Sequence, residues 1–162
     1  MSVREEGEDG KKEPDKFLKT PQSKRLIPIH PELLKMGFAE YLTKRRRDAA
    51  SQRLFPTLTL GKTTNRYSNP ASKWFGQFMN EIAPDCRERF HSLRHAFRDA
   101  LRRGQIIEEN AGKLGGWEDG GLAMNRYGDR PSMEDLRRDI AMVNYPGLDL
   151  SHLYTPAIRF TD

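Results

Sequence analysis

The chain has 162 residues, of which 36% are hydrophobic and 31% charged; this fits one polar domain with a modest core and excludes disorder throughout. Its 28 lysines and arginines outnumber 23 acidic residues and give a net charge of +5, which favours a polyanionic partner. The lone Cys86 excludes an internal disulfide framework, and the lack of a membrane-length apolar run or signal peptide predicts a cytoplasmic protein without a membrane partner.

The N-terminal part of the chain predicts a flexible segment followed by a β-hairpin. Residues 1–16 are mostly charged and offer almost nothing to bury, so we expect them to be flexible. Residues 17–30 place short apolar pieces on both sides of a polar turn at Pro21, which is the pattern of two paired strands. Lys19 would then lie at the end of the first strand, beside the turn.

A first helix is predicted over residues 30–42. Pro31 suits its first turn, and Glu32 suits the positive end of its dipole. Four basic residues follow, and they either complement the negative end of the helix or contact phosphates: Lys44, Arg45, Arg46 and Arg47. Helical spacing predicts a buried side made of Leu33, Leu34, Phe38, Tyr41 and Leu42.

Two amphipathic helices are predicted next, over residues 71–82 and 91–103, and the second has two contrasting sides. Its apolar side, which should dock on a core, contains Leu93, Ala96, Phe97, Ala100 and Leu101. Its opposite side contains His91, Arg94, His95, Arg98 and Arg102. Such a side is either a solvated basic surface or a phosphate-binding one, because the guanidinium fork matches phosphate geometry.

The remaining elements complete a mainly α prediction. A short helix is expected over residues 106–114, and a last helix over 132–143 with Ser132 as its cap. The predicted fold class is mainly α with a small β-hairpin or sheet (α+β). Its predicted parts are the flexible segment 1–16, a core over 17–145, and a tail over 146–162 whose apolar residues would pack in trans.

Four motifs, taken together with their order along the chain, resemble those of the tyrosine recombinases, the phage-integrase family. His-Ser-Leu-Arg-His at 91–95 is similar to the His-x-x-Arg motif of that family. The glycine turn that ends in Trp117 is similar to its Leu-Gly-His segment, Tyr127 to its nucleophile, and Lys19 to its hairpin lysine. The resemblance runs from about residue 17 to 153.

The resemblance implies the catalytic-core fold of DNA breaking-rejoining enzymes and recombination of double-stranded DNA through a 3′-phosphotyrosyl intermediate, without a cofactor or metal. Tyr127 would attack the phosphodiester, Arg94 would clamp it, and Lys19 would protonate the leaving 5′ oxygen. His91 would donate a hydrogen bond and assist proton transfer. Trp117 stands where most members have a second histidine, and its N–H can donate but not shuttle a proton.

The resemblance also implies further partners and a difference from the family. Members act as synaptic tetramers on DNA, so we expect a homo-oligomer or association with a full-length recombinase. Backbone contacts would come from Arg98, Arg102, Lys44, Arg45 and Arg46. The family also uses an arginine on a helix upstream of the hairpin lysine. Arg4 is the one arginine before Lys19 and lies in an unpatterned stretch, so we expect an N-terminally incomplete catalytic core.

Three other functions fit parts of the pattern. The chain could be a catalytically inactive integrase fragment that only binds DNA, or a fragment that joins a full-length recombinase through its tail. His91 and His95 also have the i, i+4 spacing of zinc-binding helices. Ser92 stands where such a hydrolase would have its glutamate, and no third ligand is evident. His95 is interpreted as structural.

Overall fold

The computed structural model describes residues 2–3, 24–48, 53–61, 67–117 and 131–155. It is mainly helical, as predicted. The chain divides into two compact units, the first comprising residues 1–33 and 97–150 and the second residues 34–96 and 151–162. None of the helices in the described ranges is long and apolar enough to cross a membrane.

A two-residue strand pair is part of the first unit. Strand β1, Ser2–Val3, pairs antiparallel with strand β2, Arg25–Leu26, and the register places Ser2 opposite Leu26. Of the second arm predicted for the hairpin, Leu26 lies in a strand and Ile27 and Ile29 do not, whereas Phe17, Leu18 and the turn lie outside the described residues. The partner of β2 comes instead from the segment that we expected to be flexible. Strand pairing uses backbone groups, which a charged segment also possesses.

The first unit has a small helical core. It is built by the C-terminal half of helix α4, Ser92–Arg103, together with helix α5, Glu108–Gly115, and helix α6, Met133–Met142. Six apolar residues form the buried cluster: Ala100, Leu101, Leu114, Leu136, Ile140 and Val143. The apolar side predicted for the basic helix is thus confirmed at Ala100 and Leu101, both 1% exposed.

Helix α4 ends in a Schellman-type turn. The Ile106 N–H donates to the Leu101 carbonyl over 3.1 Å, and the Gln105 N–H donates to the Arg102 carbonyl over 2.9 Å. Gln105 takes a φ of 54°, the left-handed conformation that glycine normally occupies at this position. Ile106 packs on the buried cluster, so the turn fixes the end of α4 against the core.

Helix α6 begins with the predicted cap. The Ser132 hydroxyl accepts from the Asp135 N–H over 3.1 Å, and the Asp135 carboxylate accepts from the Ser132 N–H over 3.2 Å, which completes a capping box. The Ser132 hydroxyl also donates to the Asp135 carboxylate over 2.6 Å. This bond and the one from the Ser132 N–H lower the pKa of the Asp135 carboxyl group, since they favour its charged form.

A buried polar pair joins α5 to α6. The Asn110 Nδ2 donates to the Asp139 Oδ2 over 2.5 Å, and the two residues are only 4% and 6% exposed. Arg138 places its Nε 3.5 Å from the other carboxylate oxygen of Asp139. Because a buried carboxylate is stable only when it is paired, this contact specifies how α5 and α6 meet.

The helix predicted over residues 30–42 is broken into two. Helix α1 is Pro31–Lys35 and helix α2 is Phe38–Arg47. Gly37 lies between them with a φ of 81°, a conformation that is easy for glycine and costly for other residues. The buried side predicted for this stretch is wrong at Leu33 and Leu34, which are 41% and 47% exposed, and its other three residues are half-buried.

The C-terminal tail contacts the end of α1 within the same chain. The Thr155 N–H donates to the Lys35 carbonyl over 3.0 Å, and the Thr155 hydroxyl lies against the α carbon of Gly37. The Lys35 ammonium lies over the Tyr154 ring, 5.4 Å from its centroid. At these two residues the tail packs in cis, and packing in trans stays a prediction for the rest of the tail.

Helix α3, Ser68–Ile82, starts three residues earlier than predicted and leaves large apolar side chains exposed. Trp74 and Ile82 are 63% and 61% exposed, and Trp74 stacks on Phe78 with ring centroids 5.5 Å apart. Phe75 meets Phe90 edge to face, also at 5.5 Å. No residue of α3 is fully buried.

Candidate nucleic-acid interface

Helix α4 exposes the whole of its predicted basic side. The exposed side chains are those of His91, Arg94, His95, Arg98 and Arg102. On the other side, Ala100 and Leu101 are buried and Phe97 is half-buried, so the C-terminal half of the helix is seated on the core. Leu93 was expected to help seat the helix, and this is wrong, since it is 51% exposed. Only the last two turns of α4 are therefore anchored by full burial.

His91 contacts His95 at the start of α4. The two imidazole rings meet edge to face with centroids 5.1 Å apart, and the His91 carbonyl accepts the Arg94 N–H over 3.0 Å. The turn before them is closed by Arg89 and Ser92, whose N–H groups bond to each other's oxygen atoms at 3.1 and 2.8 Å. His95, interpreted from the sequence as structural, is thus an exposed neighbour of the candidate His91. The i, i+4 spacing was the signal for this contact.

Trp117 is placed by the glycine turn that ends α5. Gly116 has a φ of 63°, and the N–H groups of Gly116 and Trp117 both donate to the Gly112 carbonyl, over 2.7 and 3.2 Å. The indole ring lies directly on the α carbon of Gly115, where any Cβ atom would overlap it. The two glycines are therefore required by geometry: one supplies the left-handed turn and the other the room for the ring.

The indole of Trp117 also meets two consecutive residues of α4. The Phe97 ring lies 6.0 Å away at an interplanar angle of 27°, and the Arg98 guanidinium lies 5.7 Å from the indole centroid. A groove of about 300 Å³ runs beside these contacts. It is lined by Arg98, Leu101, Arg102, Ile106, Glu108, Ala111, Gly112 and Trp117. Sequence reasoning did not pair Trp117 with Phe97 or Arg98.

The five candidate catalytic residues are only partly described. Lys19 and Tyr127 lie outside the described residues. His91 and Arg94 belong to the second compact unit, and Trp117 belongs to the first. The assembly of all five into one active site therefore stays a prediction.

The basic residues at the end of α2 differ in exposure and in their contacts. The Arg45 guanidinium pairs with Asp48, and its Nε donates to the Arg53 carbonyl over 3.1 Å. The Arg45 side chain is only 12% exposed, so it holds the end of the helix, the alternative that the sequence allowed. Lys44 and Arg46 are exposed, and their role as DNA backbone contacts stays a prediction.

No group of three or more potential metal ligands occurs in the described part of the chain. Burial raises the pKa of the Tyr145 hydroxyl, while the nearby Arg103 acts in the opposite direction.

Comparisons with models of known protein families, with curated proteins and with solved structures give no match to this chain.

Proposed function

We propose that the chain is a tyrosine-recombinase-type protein that binds double-stranded DNA and cleaves a strand by attack of Tyr127 on a phosphodiester. The observation that carries the proposal is the basic side of α4, exposed opposite the buried Ala100 and Leu101. A helix seated on one side and bearing guanidinium groups on the other suits a phosphate backbone. The proposed fold is the catalytic core of DNA breaking-rejoining enzymes.

The proposed chemistry is the one that the family resemblance implies. The phenolic oxygen of Tyr127 bonds to phosphorus, the bond to the 5′ oxygen breaks, and the strand stays attached as a 3′-phosphotyrosyl ester. Arg94 offsets the charge of the pentacoordinate transition state, and Trp117 donates its indole N–H to a phosphate oxygen. His91 assists proton transfer at the tyrosine, and Lys19 gives a proton to the leaving oxygen.

The exposure of His91 and Arg94 supports this assignment, because a group that clamps DNA must be accessible to it. The contact between His91 and His95 adds a second imidazole to the proposed site. In the proposed complex, several copies bind recombining sites together, as the family resemblance implies.

DNA binding without cleavage is the second candidate function. The exposed basic side of α4 favours it, since phosphate contacts need neither Tyr127 nor Lys19. Binding of this kind weakens steeply with salt, and each lost phosphate contact lowers the slope of log affinity against log salt by about one. Arg94→Ala and Arg102→Ala are therefore expected to lower that slope under either candidate.

A covalent-adduct assay separates the two candidates. The substrate is a library of duplexes with a randomised core and a nick near it, so that cleavage releases a short piece and traps the protein on DNA. The proposed function predicts a denaturation-resistant, protease-sensitive protein–DNA band. Binding without any band would favour the second candidate.

A matched tyrosine variant makes the assay specific. Tyr127→Phe removes only the attacking oxygen and should abolish the band, whereas Tyr145→Phe removes the hydroxyl of an exposed tyrosine with no proposed role and should retain it. A band that survives in Tyr127→Phe would reject the assigned nucleophile.

A further inference from the structure

We propose that Arg98 is a positioning residue for Trp117, whose indole it holds on the surface of α4 through a cation–π contact. The sequence assigned Arg98 to the DNA backbone, alongside Arg102. The effect on catalysis rests on the proposed function, in which Trp117 donates to a phosphate oxygen. The positioning itself does not rest on it and is tested separately below.

Three contacts restrict the indole. The Arg98 guanidinium lies 5.7 Å from the ring centroid, within the distance of about 6 Å at which cation–π attraction is significant. Phe97 supports the ring by an offset stack at 6.0 Å. The α carbon of Gly115 lies under the ring, where no side chain could stand. Phe97 and Gly115 supply surface for the ring, and Arg98 supplies electrostatic attraction.

Two arginines that the sequence treated alike have different partners. Arg98 lies over Trp117, whereas Arg102, one turn later on α4, places its Nη1 3.5 Å from the Asp99 carboxylate. Both line the groove of about 300 Å³ beside the indole. A phosphate oxygen that entered this groove would therefore meet a ring whose orientation depends on Arg98. A small loss of orientation is costly, since a misplacement of about 1 Å can slow a reaction about 100-fold.

Trp117 fluorescence tests the positioning without DNA. The background is Trp74→Phe, which removes the other tryptophan at an exposed position and keeps an aromatic ring against Phe78. Acrylamide quenching and anisotropy are compared for Arg98→Ala, for Arg98→Lys and for Arg103→Ala. Arg103 is an exposed cation in the last turn of the same helix, so its loss controls for charge.

We expect Arg98→Ala to lower the ratio of docked to undocked indole by about 2- to 5-fold, the effect of one exposed cation–π contact. Quenching then rises and anisotropy falls. Arg98→Lys should restore most of the difference, and Arg103→Ala should match the parent. If Arg98→Ala and Arg103→Ala behave alike, the proposal is wrong. It is also wrong if Arg98→Ala leaves fluorescence unchanged while lowering the salt slope of DNA binding by about one, as a backbone contact would.

The adduct assay then reports on catalysis. Arg98→Ala should slow adduct formation by more than it weakens DNA binding, because it disturbs a donor rather than a binding contact. If no variant, including the parent, forms an adduct while the fluorescence result holds, the positioning stands and the proposed recombinase function fails. If adducts form at equal rates in Arg98→Ala and the parent, Arg98 has no positioning role in the reaction.

Discussion

Removing the Asn110 amide is expected to lower the free energy of unfolding of the first unit by about 2 kcal/mol. The Asn110 Nδ2 donates to the Asp139 carboxylate over 2.5 Å in a site where both residues are less than a tenth exposed. A hydrogen bond to a charged group contributes about 1.5–3 kcal/mol. The Arg138 Nε, 3.5 Å from the carboxylate, remains in Asn110→Ala and keeps the cost below that of a fully unpaired buried charge, about 3–5 kcal/mol.

Urea unfolding followed by circular dichroism measures this cost, provided that the m-value stays constant. Asn144→Ala is the matched control, because the Asn144 amide donates to the Met142 carbonyl over 3.3 Å at an exposed position and should matter by less than about 0.5 kcal/mol. A cycle with Asp139→Ala should give a coupling energy of about 1 kcal/mol or more. Additive single variants, or an Asn110→Ala protein as stable as the parent, would refute the assigned role of the pair.

Three further predictions concern stability. Leu101→Ala should lower the free energy of unfolding, measured with urea, by about 3 kcal/mol, because this side chain is 1% exposed. Leu93→Ala, at 51% exposure, should lower it by less than about 0.5 kcal/mol. Equal losses would contradict the seating of α4 by its C-terminal half. Gln105→Gly should raise the free energy of unfolding by about 0.5 kcal/mol, seen as a higher Tm, because it relieves a φ of 54°; a lower Tm would contradict this turn geometry. Because the pKa of Asp135 is lower in the folded protein than in the unfolded chain, where it is about 3.9, its ionised carboxylate stabilises the fold at pH values above about 3.9. This stability is lost as the pH falls through the pKa of the folded state, so the free energy of unfolding should decrease over that acidic range. Ser132→Ala should flatten this drop, and an unchanged pH profile would contradict the capping box.

The helices that the sequence predicted well are those with local signals. The stretches 71–82, 91–103 and 132–143 have apolar spacing with clear end residues, and the structure has helices over 68–82, 92–103 and 133–142. The cap at Ser132 was predicted because serine is a preferred first residue of a helix and acidic residues follow it in the first turn; the structure adds the capping box with Asp135. Local periodicity and capping are therefore sufficient where neighbours in sequence make the contacts.

Long-range partners could not be predicted in the same way. Spacing identified an apolar side for residues 30–42, but it does not reveal whether anything covers that side, and Leu33 and Leu34 are exposed. Gly37 gave no periodic signal, yet its left-handed conformation divides the stretch into two helices. The strand partner of Arg25–Leu26 is likewise distant in sequence, at residues 2–3.

In the candidate site, too, local features could be predicted from the sequence and long-range contacts could not. The basic side of α4 and its exposure followed from helical spacing alone. Which arginine meets the indole of Trp117 did not, because Arg98 and Arg102 have equivalent positions in the pattern, and only the position of the turn after α5 distinguishes them as neighbours of the ring. The roles of Lys19 and Tyr127 stay predictions that come from the family resemblance.

Mass spectrometry of the trapped adduct tests the central claim most directly. The adduct is digested with nuclease and trypsin, and the peptide that carries a nucleotide is identified. Trypsin cuts after Arg126 and Arg137 but not at the Arg130–Pro131 bond, so the expected peptide covers residues 127–137. The account predicts one nucleotide monophosphate on Tyr127 within that peptide. A nucleotide on another tyrosine, or DNA binding with no modified peptide, would contradict it.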